Sequence, residues 1–210
     1  MNKKIGILNY KSSNNVSLAC ALDTINIEYE MSEDFSKLRK YNKIIIPGIG
    51  NMGSLCEQYD LKILKKDILD FTQKGGIIYG ICLGMQLFLD YSEEGGGSTL
   101  SLVPGYVASL KNNYTNEMNV GHKNLVFRDD YSDIIKKIFT DINKNSKFYF
   151  LHKYFCNLEK NVVNVVETNF NQNTIPAVFF HNRILGTQFH PELSGKTGLQ
   201  FLSNFSSMNI

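Results

Sequence analysis

The 210 residues carry 43% hydrophobic and 20% charged side chains with a net charge of +2, the balance of an ordinary globular domain long enough to bury its own core. So small a charge, spread over scattered lysines with only Arg39, Arg128 and Arg183 beside them, argues against a nucleic-acid partner. No apolar run reaches the roughly eighteen residues of a membrane span, no signal pattern opens the chain, and the four cysteines stand apart without a Cys-x-x-Cys pair, so the expectation is a cytoplasmic protein with reduced thiols, no membrane contact and no structural metal.

In chain order, Ile5 to Leu8 reads as a strand, and Ser12-Ser13-Asn14 offers caps for a helix with Val16, Ala19, Leu22 and Ile25 at helical spacing. Ile44 to Ile46 reads as a second inner strand. The helix after Gly53 carries Leu55, Tyr59, Ile63, Leu64 and Ile68 on one stripe until Gly75-Gly76 ends it. Ile77 to Tyr79 is a third apolar strand. Apolar strands separated by helices imply a parallel sheet, whose ligands bind beyond the carboxyl ends of its strands.

After Gly95 the pattern turns to short β-rich runs at Tyr106 to Leu110, Phe148 to Leu151, Val162 to Glu167, Ala177 to Phe180 and Ile184 to Phe189. The polar link His181-Asn182-Arg183 makes a hairpin of the last two, which adds antiparallel strands to the sheet. A C-terminal helix buries Leu199, Leu202 and Phe205. The fold class is α/β, one domain over residues 1–210.

Gly80-Ile81-Cys82-Leu83-Gly84-Met85-Gln86 follows the third apolar strand and precedes a helix-like pattern at Leu87, Phe88 and Leu89. It reads as a nucleophile elbow, a strand turning sharply into a helix with the central side chain projected from the sheet. At a helix N-terminus Cys82 would meet unsatisfied N–H groups that favour thiolate over thiol. Its base is sought among His122, His152, His181 and His190. His190 ends an apolar run and is followed by a rigid Pro191 and by Glu192, so Cys82, His190 and Glu192 form a candidate triad. Cys20, Cys56 and Cys156 read as small apolar core residues, and the other three histidines as surface or hydrogen-bonded ones.

These residues resemble class I glutamine amidotransferases, whose signatures are a Gly-x-Cys-x-Gly elbow and a distal His-Pro-Glu. Within them the chain is most similar to the glutaminase subunits of imidazole glycerol phosphate synthase, from Ile5 to the C-terminal helix. Pro47-Gly48-Ile49-Gly50-Asn51-Met52-Gly53 resembles their Pro-Gly-Val-Gly oxyanion strand, and Ser92-Glu93-Glu94-Gly95-Gly96 their Ser-Glu-Glu-Gly segment. The resemblance implies a flavodoxin-like sandwich, mostly parallel with an antiparallel C-terminal extension, and hydrolysis of L-glutamine without a cofactor. It implies an oxyanion hole of the Leu83 N–H and the Ile49–Gly50 segment. Gly48, Gln86 and Glu94 would bind glutamine, together with the backbone around His152, Lys153 and Tyr154. The ammonia would pass to a synthase subunit, a (β/α)₈ cyclase in a heterodimer, facing Asn14, His122, Lys123, Tyr149 and Leu193.

The departures from that pattern cluster. Asn9-Tyr10-Lys11-Ser12-Ser13-Asn14 replaces Asp-Tyr-Gly-x-Gly-Asn, Gly121-His122-Lys123 stands for Gly-Trp-Asn, Lys153 for a Ser and Leu193 for the Lys after His-Pro-Glu. The acceptor therefore stays open between the cyclase of histidine biosynthesis and an amidotransferase making an acetamidino sugar from an acetamido sugar. A non-catalytic scaffold conflicts with the intact triad, and a cysteine peptidase leaves His-Pro-Glu and Ser-Glu-Glu-Gly unexplained.

Overall fold

The computed structural model describes residues 4–10, 15–110, 118–128, 130–162 and 164–209. Its first half alternates β1 (Ile5–Leu8), α1 (Val16–Thr24), β2 (Tyr29–Ser32), α2 (Phe35–Leu38), β3 (Lys43–Ile46), α3 (Met52–Gln58), α4 (Leu61–Gln73), β4 (Ile77–Ile81) and α5 (Leu83–Gln86). The second half begins with β5 (Tyr91–Ser92), β6 (Gly97–Ser98), β7 (Gly105–Ser109), β8 (Asn119–Val126) and α6 (Asp133–Ile138). It continues through β9 (Lys147–His152), β10 (Tyr154–Leu158), β11 (Asn164–Phe170), β12 (Asn173–His181), β13 (Ile184–Thr187), a 3₁₀ turn (Pro191–Leu193) and α7 (Gly195–Ser207).

The fully buried strands take inner places in the sheet. β1, β4 and β13 are buried along their whole length, as befits parallel strands covered on both faces. The main sheet runs β2-β1-β3-β4-β13-β12-β11-β8-β9. Its first four pairings are parallel and its last four antiparallel, so the antiparallel extension is as large as the parallel part. The β12–β13 hairpin turns through Asn182 and Arg183, both at positive φ, as a tight turn matched to strand twist requires. One core lies between the sheet and helices α1, α6 and α7, with Phe139, Phe148, Phe189 and Phe201 in edge-to-face contact. The other lies on the opposite face under α2 to α5 and a small sheet ordered β10-β7-β5-β6.

Several expectations are corrected. The single helix after Gly53 is two, because Tyr59 is extended and the Asp60 carboxylate accepts from the N–H groups of Lys62 and Ile63, starting α4 afresh. Ile63 consequently turns to solvent, 61% exposed. In α1 the buried face is Leu18, Ala21 and Leu22, while Val16 is exposed. The caps at Ser12 to Asn14 lie outside the described residues. Leu87, Phe88 and Leu89 follow a one-turn helix instead of continuing it, and all three are fully buried. In α7, Phe201 fills the core beside Leu202 and Phe205, with Leu199 only partly buried. Among the cysteines only Cys156 joins Cys82 in the interior; Cys20 is exposed and Cys56 half-buried.

Candidate active site

The carboxyl ends of four neighbouring strands converge: Tyr10 follows β1, the Pro47 loop follows β3, Cys82 follows β4 and the Gln188–Glu192 segment follows β13. The elbow is sterically tight. A Cβ on Gly84 would lie 2.1 Å from the Ile46 carbonyl oxygen and one on Gly80 2.4 Å from the Gly84 carbonyl, so both positions exclude any larger residue. Cys82 itself sits at φ 50° and ψ −104°, and its N–H donates to the Thr187 oxygen at 2.7 Å, tying the elbow to β13. A strained conformation at a non-glycine residue is characteristic of a residue held for chemistry.

His190 lies beside the thiol, and its Nδ1 donates to Glu192 Oε1 at 2.8 Å, both side chains almost fully buried. That bond fixes the tautomer that turns Nε2 toward Cys82. Burial alone would lower the His190 pKa. The Cys82 sulfur and the Glu192 carboxylate outweigh it and raise the pKa above the ordinary imidazole value. The ring is braced by a bridge between His190 and Tyr149 on β9, with the His190 N–H on the Tyr149 oxygen at 2.8 Å. Ser194 completes the brace, donating to the His190 oxygen at 2.6 Å and accepting from the Tyr149 N–H at 2.9 Å.

At the thiol a cleft of about 250 Å³ is lined by Gly48, Ile49, Gly50, Leu83, Gln86 and Glu94, and by Lys153 and Tyr154. The structure thus gathers at one cleft every residue read from the sequence as nucleophile, base, oxyanion donor or glutamine contact, with Glu192 behind His190. Glu94 reaches across to the segment that follows β3, its two carboxylate oxygens near Asn51 Nδ2 and the Met52 N–H, both at 3.3 Å. Burial raises its pKa, partly offset by the Met52 bond and by Lys153 nearby.

One buried group escaped the sequence reading. Gln188, fully buried, points its Nε2 at Cys82 Sγ from 3.5 Å, while its Oε1 accepts from Gln86 Nε2 at 3.1 Å. The polarity of this chain is dictated at its far end, where Gln86 Nε2 donates to the Tyr154 carbonyl at 2.9 Å. Strand alternation is the signal that could have found Gln188, two residues before His190 and hence on the same face. His152, read from the sequence as a surface or hydrogen-bonded histidine, is buried and hydrogen-bonded, its Nδ1 donating to the Tyr154 oxygen at 2.8 Å and its Nε2 accepting from Asn119 Nδ2 at 2.9 Å.

The residues expected to face a partner divide. His122 and Tyr149 are cross-strand neighbours on the ribbon of β8 and β9, with ring centroids 5.3 Å apart, and Leu193 is exposed beside the triad. Lys123, one residue on, takes the other face of β8 and lies over the Phe170 ring at 5.8 Å. Asn14 lies outside the described residues. Among the described residues no cluster of three His, Cys, Asp or Glu could hold a metal ion, and no helix is long and apolar enough to cross a membrane.

Residues 7–208 match the family model of glutamine amidotransferase class-I. The chain belongs to that family. It is similar to the imidazole glycerol phosphate synthase subunit HisH of Chlorobaculum tepidum, 33% identical over 201 residues that span 95% of this chain and 98% of the relative. The HisH subunit of Pasteurella multocida is likewise 33% identical, over 97% of each chain. Among solved structures, a glutamine amidotransferase superposes with a TM-score of 0.69 at 15% identity, covering 97% of this chain and 99% of that one. Another from Thermotoga maritima gives 0.60 at 15% identity, covering 96% and 81%. At those identities the likeness shows the fold, a single α/β amidotransferase domain with a mixed sheet. The chain is a class-I amidotransferase enzyme.

Proposed function

We propose that the chain is the glutaminase subunit of an imidazole glycerol phosphate synthase, hydrolysing L-glutamine and passing ammonia to a cyclase subunit of histidine biosynthesis. The observation that carries the reading is the line from Cys82 through His190 to Glu192 at the mouth of a cleft lined by Glu94 and Lys153, in a chain similar along its length to HisH subunits. The Cys82 thiolate attacks the glutamine carboxamide carbon, and the tetrahedral oxyanion is held by the N–H groups of Leu83 and Ile49. The His190 imidazolium gives its proton to the departing nitrogen, so ammonia leaves and a thioester remains. Neutral His190 then takes a proton from water, which attacks the thioester and releases glutamate and the thiolate. In this reading Glu94 would hold the α-ammonium of glutamine, and the peptides at Lys153 and Tyr154 its α-carboxylate.

Most ammonia in water near neutral pH is ammonium, which is no nucleophile, so a partner that receives it directly over the cleft makes chemical sense. We take that partner to be a (β/α)₈ cyclase docked as a heterodimer, and the compartment to be the reducing cytoplasm that four free cysteines suit. The test is glutamate release by the purified chain alone, with a histidine-pathway cyclase, and with an acetamido-sugar amidotransferase. Stimulation by the cyclase, lost in Cys82→Ala, is expected. Stimulation by the sugar enzyme alone would overturn the cyclase assignment and leave the glutaminase standing; labelling of Cys20, Cys56 or Cys156 by a glutamine-analogue electrophile with Cys82 spared would overturn both.

A further inference from the structure

The oxyanion strand is gripped from two sides. On one side, the backbone of Gly48 presses on the elbow so closely that a Cβ there would lie 1.7 Å from the Ile81 oxygen and 2.4 Å from the Leu83 nitrogen. On the other side stands Tyr10, at the end of the neighbouring strand β1 and 1% exposed. Its hydroxyl donates to the Pro47 oxygen at 2.8 Å and shares the same proton with the Ile49 oxygen at 3.3 Å. These two carbonyls belong to the peptides immediately before and after the Gly48–Ile49 peptide. That middle peptide carries the Ile49 N–H, the second oxyanion donor of the proposed mechanism.

We propose that Tyr10 is the positioning residue of the oxyanion hole: by holding the flanking carbonyls it fixes where the Ile49 N–H can lie relative to Cys82. The inference rests on the glutaminase reading. Its physical basis is that a donor aimed at developing charge acts only if it is held in place before the reaction, and that a displacement of about an ångström there lowers rate steeply. Because one hydroxyl holds the peptides on both sides, the two ends of the Gly48–Ile49 unit are fixed together, and loss of that hydroxyl releases both at once. Burial raises the Tyr10 pKa, so the phenol remains a donor across the working pH range.

Tyr10→Phe keeps the ring and removes only the hydroxyl. Glutamine hydrolysis by wild type and variant, with the cyclase partner present and absent, is compared with alkylation of Cys82 by iodoacetamide, a reaction that forms no oxyanion. We expect the stimulated kcat to fall roughly ten- to a hundredfold, within the range for a misaligned oxyanion donor, with KM for glutamine and the alkylation rate unchanged. A kcat equal to wild type overturns the proposal. So does a parallel loss of hydrolysis, alkylation and thermal stability, which makes Tyr10 merely structural. A wild-type chain that hydrolyses no glutamine alone, with the cyclase or with the acetamido-sugar amidotransferase, while iodoacetamide still modifies Cys82, overturns the glutaminase reading and the inference with it.

Discussion

Cys82 pays for its orientation with a backbone conformation that costs on the order of 1–3 kcal/mol at a non-glycine residue, held in place by the Thr187 bond and the glycines around it. The groups that use that orientation should contribute unequally. His190 moves a proton in the reaction, so His190→Ala is expected to lower kcat by at least about 10²–10⁴-fold, whereas Glu192→Gln, which spares the transferring nitrogen, should cost less; steady-state glutamate release measures both. Gln188 should matter as well. A hydrogen bond to a charged group contributes about 1.5–3 kcal/mol, so Gln188→Leu is expected to slow hydrolysis roughly ten- to a hundredfold and to slow alkylation of Cys82, with little change in KM. An unchanged alkylation rate would mean that the amide does not act on the sulfur. The difference between these residues is also why one group was legible in the sequence and the other was not. Cys82, His190 and Glu192 sit in short motifs whose glycine and proline geometry is local. Gln188 and the Asn119–His152 pair acquire their meaning only from strands brought together across the fold.

At the scale of elements, the inner strands announce themselves because a strand buried on both faces has no polar residue to break the run. β8 does not, since its outer face is solvated and it pairs with β9, legible as the run Phe148 to Leu151, only across the intervening α6. Asn119 pairs with His152 across this ribbon, and the pair makes an acid-sensitive tie. With Nδ1 donating to the Tyr154 oxygen and Nε2 accepting from Asn119, the ring is complete only when neutral. Burial first, then the nearby charges of His190 and Lys123, lower its pKa to about 4, against the Tyr154 bond that acts to raise it. The folded pKa therefore lies below the ordinary value near 6.5, and the unfolded chain binds the extra proton. Stability from this group is present above about pH 6.5 and is lost as pH falls toward about 4, by about 3 kcal/mol in all. His190, with its pKa raised, slopes the opposite way, gaining stability as pH falls through about 6.5 and adding no slope well below that; His181, lowered by burial, slopes the same way as His152. Urea midpoints at pH 7 and pH 4.5 should thus converge in His152→Leu relative to wild type. An equal acid loss in both proteins would remove His152 as the cause.

For the molecule as a whole, the sheet's polarity decides where a second protein can usefully sit. All the reactive groups lie at one end of the parallel strands, and the ribbon beside that end presents Val120 and Leu151 as a cross-strand pair, 49% and 42% exposed, followed by His122 and Tyr149. Leu193, 37% exposed, stands next to the triad. Exposed apolar side chains grouped at the rim of a catalytic cleft are the kind of surface a stable partner covers. Leu151 also lines the cleft, so it confounds docking with chemistry; Val120 lines none of it. Val120→Glu would bury a charge against the partner while leaving the thiol, the oxyanion loop and the glutamine contacts untouched. If the cyclase docks on this face, the concentration of cyclase needed for half-maximal stimulation should rise roughly thirtyfold or more, the loss expected for a central contact, with unstimulated hydrolysis unchanged. His122→Ala, at a position where the resembled subunits carry a larger aromatic anchor, should weaken stimulation less. Full stimulation of Val120→Glu at wild-type cyclase concentrations would move the docking face elsewhere, and with it the exit of ammonia from the cleft.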